Sequence, residues 1–270
     1  MRAEIISIGN ELLLGEVLDS NAHSITRKLT SEGVHVERMH IIRDTIDEIA
    51  EFLDCAFKHN AVDIVVTTGG LGPTRDDITY YAVADWLGVE LHEDPRSLLY
   101  LQERVELLNI IDKTKVRTLT PTRRKMASIP RGGIPLFNPT GAAPGLWYGI
   151  GRQVLICLPG VPVEMEGIWE VEVAPKLREF TSGYGYEVLH FTVLSSDESA
   201  LAPIIAEAAS RFPQVHFKTR PRRIGNTWEM KLDVAQFTAG QTPSLISQAV
   251  KTITDLLKQA GMDVDIREED

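Results

Sequence analysis

The sequence predicts an α/β fold with a mostly parallel sheet, followed by a small α+β module. Short β-branched runs alternate with stretches whose apolar residues recur at helical spacing, such as Ile46, Ile49, Leu53 and Phe57. Residues 62–66 are apolar on both faces, which is typical of a central parallel strand covered by helices on each side. Several of these runs end in loops rich in glycine and proline.

The first predicted strand covers residues 5–8 and ends at Gly9. A polar loop follows, and Asp19 or Ser20 can cap a helix that ends at Gly33. The later elements predicted in this part are strands at 34–42 and 62–66, helices at 46–60, 77–87, 96–111, 120–127 and 161–168, and a hairpin at 146–148 and 153–158.

Residues 181–186 contain two glycines and two tyrosines and predict a linker. The remainder predicts strands at 187–194, 215–219 and 228–234 and helices at 198–211 and 244–259. Four basic residues, Lys218, Arg220, Arg222 and Arg223, surround the predicted hairpin beside Phe217, which is compatible with RNA contact. The element order is similar to K-homology folds, but loop 223–226 joins two strands rather than two helices, so a structural or dimerising role is favoured.

The chain has 270 residues and a formal net charge of −10. This balance argues against a general binder of nucleic acids or membrane surfaces, although it leaves room for a local basic patch. Cys55 and Cys157 have no metal-binding or disulfide spacing and are interpreted as thiols of a reducing, cytoplasmic environment. We expect neither a transmembrane helix nor a signal peptide.

Ligands of open α/β sheets bind beyond the carboxyl ends of the strands. Four loops leave predicted strands at such positions, namely residues 9–19, 69–77, 138–145 and 159–164. The predicted ligand-binding residues in and beside these loops are Gly9, Asn10, Asp19, Asn21, Thr68, Gly69, Gly70, Gly72, Thr74, Asn138, Thr140, Gly141, Pro159, Gly160 and Glu164.

The glycines of loop 69–77 allow backbone N–H groups to approach a phosphate at the start of a helix. Alternatively, the loop is a tight turn in which Asp77 caps the helix. Asp76 and Asp77 would repel a phosphate unless a divalent cation lay between them, so they are predicted metal ligands; the alternative is one cap and one solvated carboxylate. Glu11 is a third candidate, as a metal ligand or general base.

Asp19 and Asn21 also suit helix capping. Asn138, Thr140 and Gly141 suit a ribose or heterocycle, or else belong to a rigid loop shaped by its prolines. The turn at Pro159 and Gly160 can present N–H groups to an oxyanion, and Glu164 either joins that site or satisfies the helix dipole. The basic run 123–125 can neutralise a diphosphate or simply form a solvated face.

Four motifs together resemble the competence-damage-inducible (CinA) family, whose first domain is similar to molybdenum-cofactor biosynthesis proteins of the MoaB/MogA type. They are IGNELLLG at 8–15 with DSN at 19–21, TGGLGPTRDDIT at 68–79, NPTGAAPG at 138–145 and LPGVPVEM at 158–165. Where members often have Asp after the first glycine, this chain has Asn10, which removes one possible metal ligand.

The resemblance implies a three-layer α/β/α domain over residues 1–178 and a KH-like α+β domain over 187–262. It implies hydrolysis of ADP-ribose to AMP and ribose 5-phosphate, dependent on a divalent cation (Mg, Mn or Co) and helped by K⁺. In such a reaction Asp76, Asp77 and Glu11 are the predicted catalytic residues. It further implies a homo-oligomer, a dimer or trimer, and no room for the family's nicotinamide mononucleotide deamidase domain. Two alternatives remain: binding of molybdopterin or its adenylylated form, and a non-catalytic nucleotide-binding scaffold.

Overall fold

The computed structural model describes residues 1–111, 113–114, 116–193, 198–224, 227–240, 243–262 and 264–265. The chain divides into two compact units. The first comprises Met1–Thr30 and His35–Ser182, and the second comprises Ser31–Val34 and the described residues within Gly183–Asp270. No helix among the described residues combines the length and the apolar character that crossing a membrane requires.

The first unit contains a six-stranded sheet in the order β2-β1-β3-β8-β7-β6. Strands β2, β1, β3 and β8 run parallel, whereas β7 and β6 add antiparallel at one edge. A separate pair, β4 and β5, is antiparallel. The bounds are β1 Arg2–Ile8, β2 His35–Ile42, β3 Ile64–Thr68, β4 Leu91–Glu93, β5 Ser128–Pro130, β6 Ile134–Leu136, β7 Gly145–Ile150 and β8 Gln153–Leu158.

Helices cover both faces of this sheet. The helices are α1 Asn10–Leu13, α2 Ser20–Ser31, α3 Ile46–Asp54, α4 Thr79–Leu87, α5 Pro95–Ile111, α6 Pro121–Arg124, α7 Pro162–Ile168 and α8 Ala174–Phe180. Ile6 and Val65 belong to one core with α3 and α4. Successive strand residues point to opposite faces, and the intervening Ile5 and Val66 are just as fully buried. Both faces are therefore covered, which makes three layers with a mostly parallel central sheet, as predicted.

The second unit is a four-stranded antiparallel sheet with two helices. Its elements are β9 Tyr184–Val193, α9 Glu198–Arg211, β10 His216–Ile224, β11 Thr227–Ala239, α10 Ile246–Gln259 and β12 Val264–Asp265, with the sheet order β10-β11-β9-β12. Its core joins Phe191 and Leu232 from the strands to Leu201 of α9 and Ile253 of α10. The α+β character is as predicted; the KH-like assignment and the limits 187–262 stay predictions. Leu194, Gly225 and Asn226 lie outside the described residues.

Several elements differ from the prediction. Residues 10–13 form the short helix α1 within the predicted loop. The predicted linker contains the start of β9, because Tyr186 pairs with Phe237 across the sheet, with ring centroids 4.7 Å apart. The helix predicted at Asp77 begins at Thr79, and Ile78 occupies its N-cap. The three-residue strands β4, β5 and β6 are too short to give a periodic signal.

Candidate functional site

A cavity of about 790 Å³ opens at the carboxyl ends of β1, β3 and β8. Most of the predicted ligand and metal residues line it: Gly9, Glu11, Asp19, Asn21, Thr68, Gly69, Gly70, Gly72, Thr74, Asp76, Asp77, Pro159, Gly160 and Glu164. Asn10, Asn138, Thr140 and Gly141 are absent from this lining, and loop 138–145 contributes Ala142 and Ala143 instead. The parallel strands therefore bring three of the four loops together at one edge and part of the fourth.

Gly69 lies where three strand ends meet. Its N–H donates to the carbonyl of Leu158 at 3.0 Å, and a Cβ at Gly69 would lie 2.1 Å from the carbonyl oxygen of Ile8. Its φ of +113° lies outside the range that side chains tolerate. On the other side, a Cβ at Gly160 would lie 3.4 Å from the Cα of Gly69. A side chain is therefore excluded at Gly69, whereas Gly160 only packs against it at ordinary contact distance. We call Gly69, Gly70 and Gly160 together the glycine floor.

Thr79 fixes the glycine floor to the start of α4. Its hydroxyl donates to the carbonyl of Gly69 at 2.8 Å, and its N–H donates to the carbonyl of Gly70 at 3.1 Å. A Cβ at Gly70, where φ is +68°, would lie 2.2 Å from the Thr79 hydroxyl oxygen. The turn and the helix start thus form one rigid connection.

Asp77 has a local role that differs from the expected helix cap. Its Oδ2 accepts hydrogen bonds from the N–H of Thr74 at 2.7 Å and from the Thr74 hydroxyl at 2.6 Å. This closes the turn 74–77 and leaves α4 without a side-chain cap. The amine of Lys125 donates to the carbonyl of Thr74 at 2.5 Å. Asp76, by contrast, is exposed and lines the cavity.

Asn21 is buried beneath the cavity, whereas the neighbouring Asp19 caps α2 by accepting the N–H of Ala22 at 3.0 Å. The Nδ2 of Asn21 donates to the hydroxyl of Thr68 and to the carbonyl of Gly160, both at 2.9 Å. Because a carbonyl only accepts, the bond to Gly160 fixes the amide orientation. The Oδ1 of Asn21 is left without a partner. Asn21 therefore joins the ends of β3 and β8 and is not a cap.

Asp44 lines the cavity but was missed by the sequence prediction. Burial raises the pKa of its carboxyl; a hydrogen bond from the Asn10 backbone opposes this, and the charges of Glu11, Asp76 and Asp77 raise the pKa further. Its Oδ1 has no partner. Asp44 follows β2, so the rule that ligands bind beyond the carboxyl ends of the strands also applies to it. We call the carboxylates of Glu11, Asp44, Asp76 and Asp77 the acidic wall.

The acidic wall alone is not a preformed metal centre. Within the described part of the chain, no group of three or more His, Cys, Asp or Glu is arranged to hold a metal ion. Magnesium is often held by one or two carboxylates together with phosphate oxygens and water. The unpartnered Oδ1 of Asp44 and the exposed Asp76 fit such a shared site, in which a phosphorylated ligand supplies the remaining oxygens.

Asn138 holds loop 138–145 together from within. Its side chain is fully buried, and its Nδ2 donates to the carbonyl of Ala143 at 2.8 Å and to Glu164 at 2.7 Å. Its Oδ1 accepts the N–H groups of Gly141 at 2.7 Å and Thr140 at 3.1 Å. The structure thus gives Asn138, Thr140 and Gly141 positions in a rigid loop rather than in the cavity lining, because the amide's donors and acceptor are engaged inside the loop.

The basic run 123–125 divides into three roles. Arg123 lines the cavity and brings a positive charge to it. Arg124 forms an ion pair with Glu93 at 2.7 Å, so it belongs to the surface beside β4. Lys125 holds the Thr74 carbonyl, as described above. One of the three residues therefore fits the predicted role of neutralising a bound anion.

The structure is an α/β domain with a glycine-floored cavity at the carboxyl ends of its parallel strands, the place where open α/β sheets bind their ligands. Residues 4–179 match the family described as "Probable molybdopterin binding domain", and the chain belongs to this family.

Relatives extend over most of the chain. A protein of Pyrobaculum arsenaticum is 39% identical over 82% of this chain and 80% of its own length, and one of Pyrobaculum calidifontis is 35% identical over 95% of each. Among solved structures, the protein CinA of unknown function from Thermoplasma acidophilum is 36% identical, with a TM-score of 0.58 over 65% of this chain and 97% of that one. The predicted resemblance to CinA is thereby supported for the first domain.

Proposed function

We propose that the cavity binds a phosphorylated pterin of the molybdopterin type, with the phosphate on the glycine floor. The observation that supports this proposal is the glycine-lined end of three adjacent strands, in a chain whose residues 4–179 match a family described as "Probable molybdopterin binding domain". A cavity of about 790 Å³ is large enough for such a ligand.

Each part of the cavity has a distinct task in this proposal. The N–H of Gly69 is bonded to Leu158, so the backbone at Gly70 and Gly160 is the part of the glycine floor that can approach phosphate oxygens without side chains in the way. Arg123 offsets the negative charge of the phosphate. The Oδ1 atoms of Asn21 and Asp44 are buried acceptors without a donor, which costs about 1–3 kcal/mol each. The N–H groups of a bound heterocycle would remove that cost.

A second candidate function is metal-dependent cleavage of a nucleoside diphosphate sugar, ADP-ribose being the substrate expected from the CinA resemblance. The acidic wall is the observation that favours it. A divalent cation held between Asp76, Asp44 and the diphosphate would withdraw charge from the phosphoryl oxygens and activate water. Glu11 lines the same cavity and is the candidate general base. This activity stays a prediction.

Titration of the purified full chain separates these candidates. Molybdopterin and ADP-ribose are each added with Mg²⁺, Mn²⁺, Co²⁺ or EDTA, while binding is followed by calorimetry and AMP release by chromatography. Saturable molybdopterin binding without turnover supports the first proposal. AMP release that needs metal supports the second. If neither ligand binds, the proposal for this cavity fails.

Asp76→Ala sharpens the test, with Asp85→Ala on the exposed surface of α4 as its matched control. If Asp76 shares a cation with the ligand, metal-dependent turnover falls more than about tenfold in Asp76→Ala and is unchanged in Asp85→Ala. Asp77→Ala is less informative, because it also removes the bonds that close the turn 74–77. Equal turnover in the parent and Asp76→Ala removes the metal role of Asp76.

A further inference from the structure

We propose that the second unit binds single-stranded nucleic acid on the face of its sheet that is turned away from α9 and α10. We call this surface the open sheet face; its charged side chains include Lys218, Arg220, Arg222, Glu229, Lys231 and Asp233, and its rings are Tyr186 and Phe237. The inference is independent of the cavity and of its proposed ligand, because it concerns residues of the second unit alone.

The strand alternation defines this face. On β10, Phe217 packs against the core and the Thr219 hydroxyl donates to Glu198 of α9 at 2.7 Å, so these residues face the helices. Lys218 and Arg220 alternate with them and are exposed. On β11, Met230 and Leu232 are core residues, and the register places Lys231 directly opposite Arg220.

A row of positive charge runs along β10. The nine residues His216–Ile224 contain four basic side chains and no carboxylate, although the whole chain has a net charge of −10. Side chains on one face of a strand recur about every 7 Å, so Lys218, Arg220 and Arg222 form an extended line. An extended line of cations complements an extended polyanion.

The acidic residues of the face do not cancel this row. Asp233 is buried, accepts from the Nδ1 of His190 at 2.7 Å and pairs with Arg220. The charges of Asp233 and Arg220 therefore offset each other. Glu229 lies opposite Arg222 in the register. Among the described side chains of the face, two carboxylates thus stand against four cations, Lys218, Arg220, Arg222 and Lys231, and the balance is positive.

Aromatic rings give the face a preference for bases over other polyanions. Tyr186 and Phe237 lie directly opposite each other on β9 and β11, with ring centroids 4.7 Å apart. Both are half-buried, so part of each ring remains accessible. Bases of single strands stack on such rings, whereas the bases of a duplex are already stacked on each other. The combination of a cationic row and an aromatic pair therefore selects a single strand.

Fluorescence anisotropy of the full chain with a labelled oligouridylate of about twelve nucleotides tests this inference. We expect saturable binding that weakens steeply with salt, and much weaker binding of a duplex of the same length. The variant Lys218→Glu/Arg222→Glu should bind more than about tenfold more weakly, with a visibly smaller salt slope. The matched control is Lys251→Glu/Lys258→Glu, which makes the same charge change on exposed positions of α10.

Tyr186→Leu keeps an apolar side chain but removes the ring, and should weaken binding at least about fivefold with little change in the salt slope. If the charge-reversed variant unfolds, Lys218→Gln/Arg222→Gln replaces it. The inference is overturned if the parent does not bind the oligonucleotide at low salt. It is equally overturned if the β10 variant binds like the α10 control, or if duplex binds as tightly as single strand.

Discussion

The glycine floor and the acidic wall belong to one cavity but are held in place by different forces. The floor is fixed by contacts between backbone atoms, such as the 3.0 Å bond from Gly69 to Leu158. The wall consists of carboxylates that interact through their charges; burial raises the pKa of Asp44, and the charges of the other three carboxylates raise it further. We therefore expect changes in the floor to affect folding strongly, and changes in the wall to affect mainly pH dependence and ligand binding.

The largest effect is expected for Gly69→Ala, which should lower the free energy of unfolding by about 3 kcal/mol or more. A positive φ costs a side chain about 1–3 kcal/mol, and the new Cβ would also overlap the Ile8 carbonyl. Chemical denaturation measures the change.

Two other glycines separate the cost of a positive φ from the cost of the overlap with a neighbouring strand. Gly151 has a φ of +61° but open space around its Cβ position, so Gly151→Ala should cost only about 1–2 kcal/mol. Gly149 has neither constraint, and Gly149→Ala should be near neutral. Similar losses for Gly69→Ala and Gly151→Ala would contradict the close approach of β1 and β3.

An intermediate effect is expected for Asn138→Ala, about 2–3 kcal/mol of unfolding free energy. The substitution leaves the Ala143 carbonyl and the N–H groups of Thr140 and Gly141 without their partner in a buried place. Denaturation with urea measures this loss of unfolding free energy. The control is Asn10→Ala, whose exposed side chain makes one bond of 3.4 Å to Asp44, and it should stay within about 0.5 kcal/mol of the parent.

The smallest effect is expected for Asp44→Asn, and its sign depends on pH. The pKa of Asp44 is raised in the folded state, so above that pKa the ionised carboxyl lowers stability. The penalty disappears as pH falls through the raised pKa toward the ordinary value of about 3.9. Asp44→Asn should therefore be more stable than the parent at neutral pH and lose this advantage in acid.

Thermal unfolding over a pH series measures the advantage of Asp44→Asn. Added salt should shrink the part that comes from Glu11, Asp76 and Asp77, because salt screens partly exposed charges. An advantage that is independent of pH would show that the pKa of Asp44 is not raised, and one that is independent of salt would show that the carboxylates of the wall do not interact.

The fold and the place of the cavity could be predicted from the sequence, because glycine-rich loops after β-branched runs mark strand ends. The role of Asn138 could not, since Asn in a Pro- and Gly-rich loop suits both a ligand contact and internal bonds, and only the distances to Ala143 and Glu164 distinguish them. Asp44 was missed because no glycine accompanies it. The assignments of metal, substrate and oligomer stay predictions, as they depend on molecules outside the chain.

The crowding at Gly69 also limits how this protein could diversify. A single substitution there must move the backbone of a neighbouring strand, so mutation has little freedom to reshape the bottom of the pocket. Exposed residues at the rim of the cavity, such as Leu18 and Asp76, carry no comparable restriction. Descendants of this chain that acquire a new ligand should therefore differ first at the rim, while the buried glycine is retained.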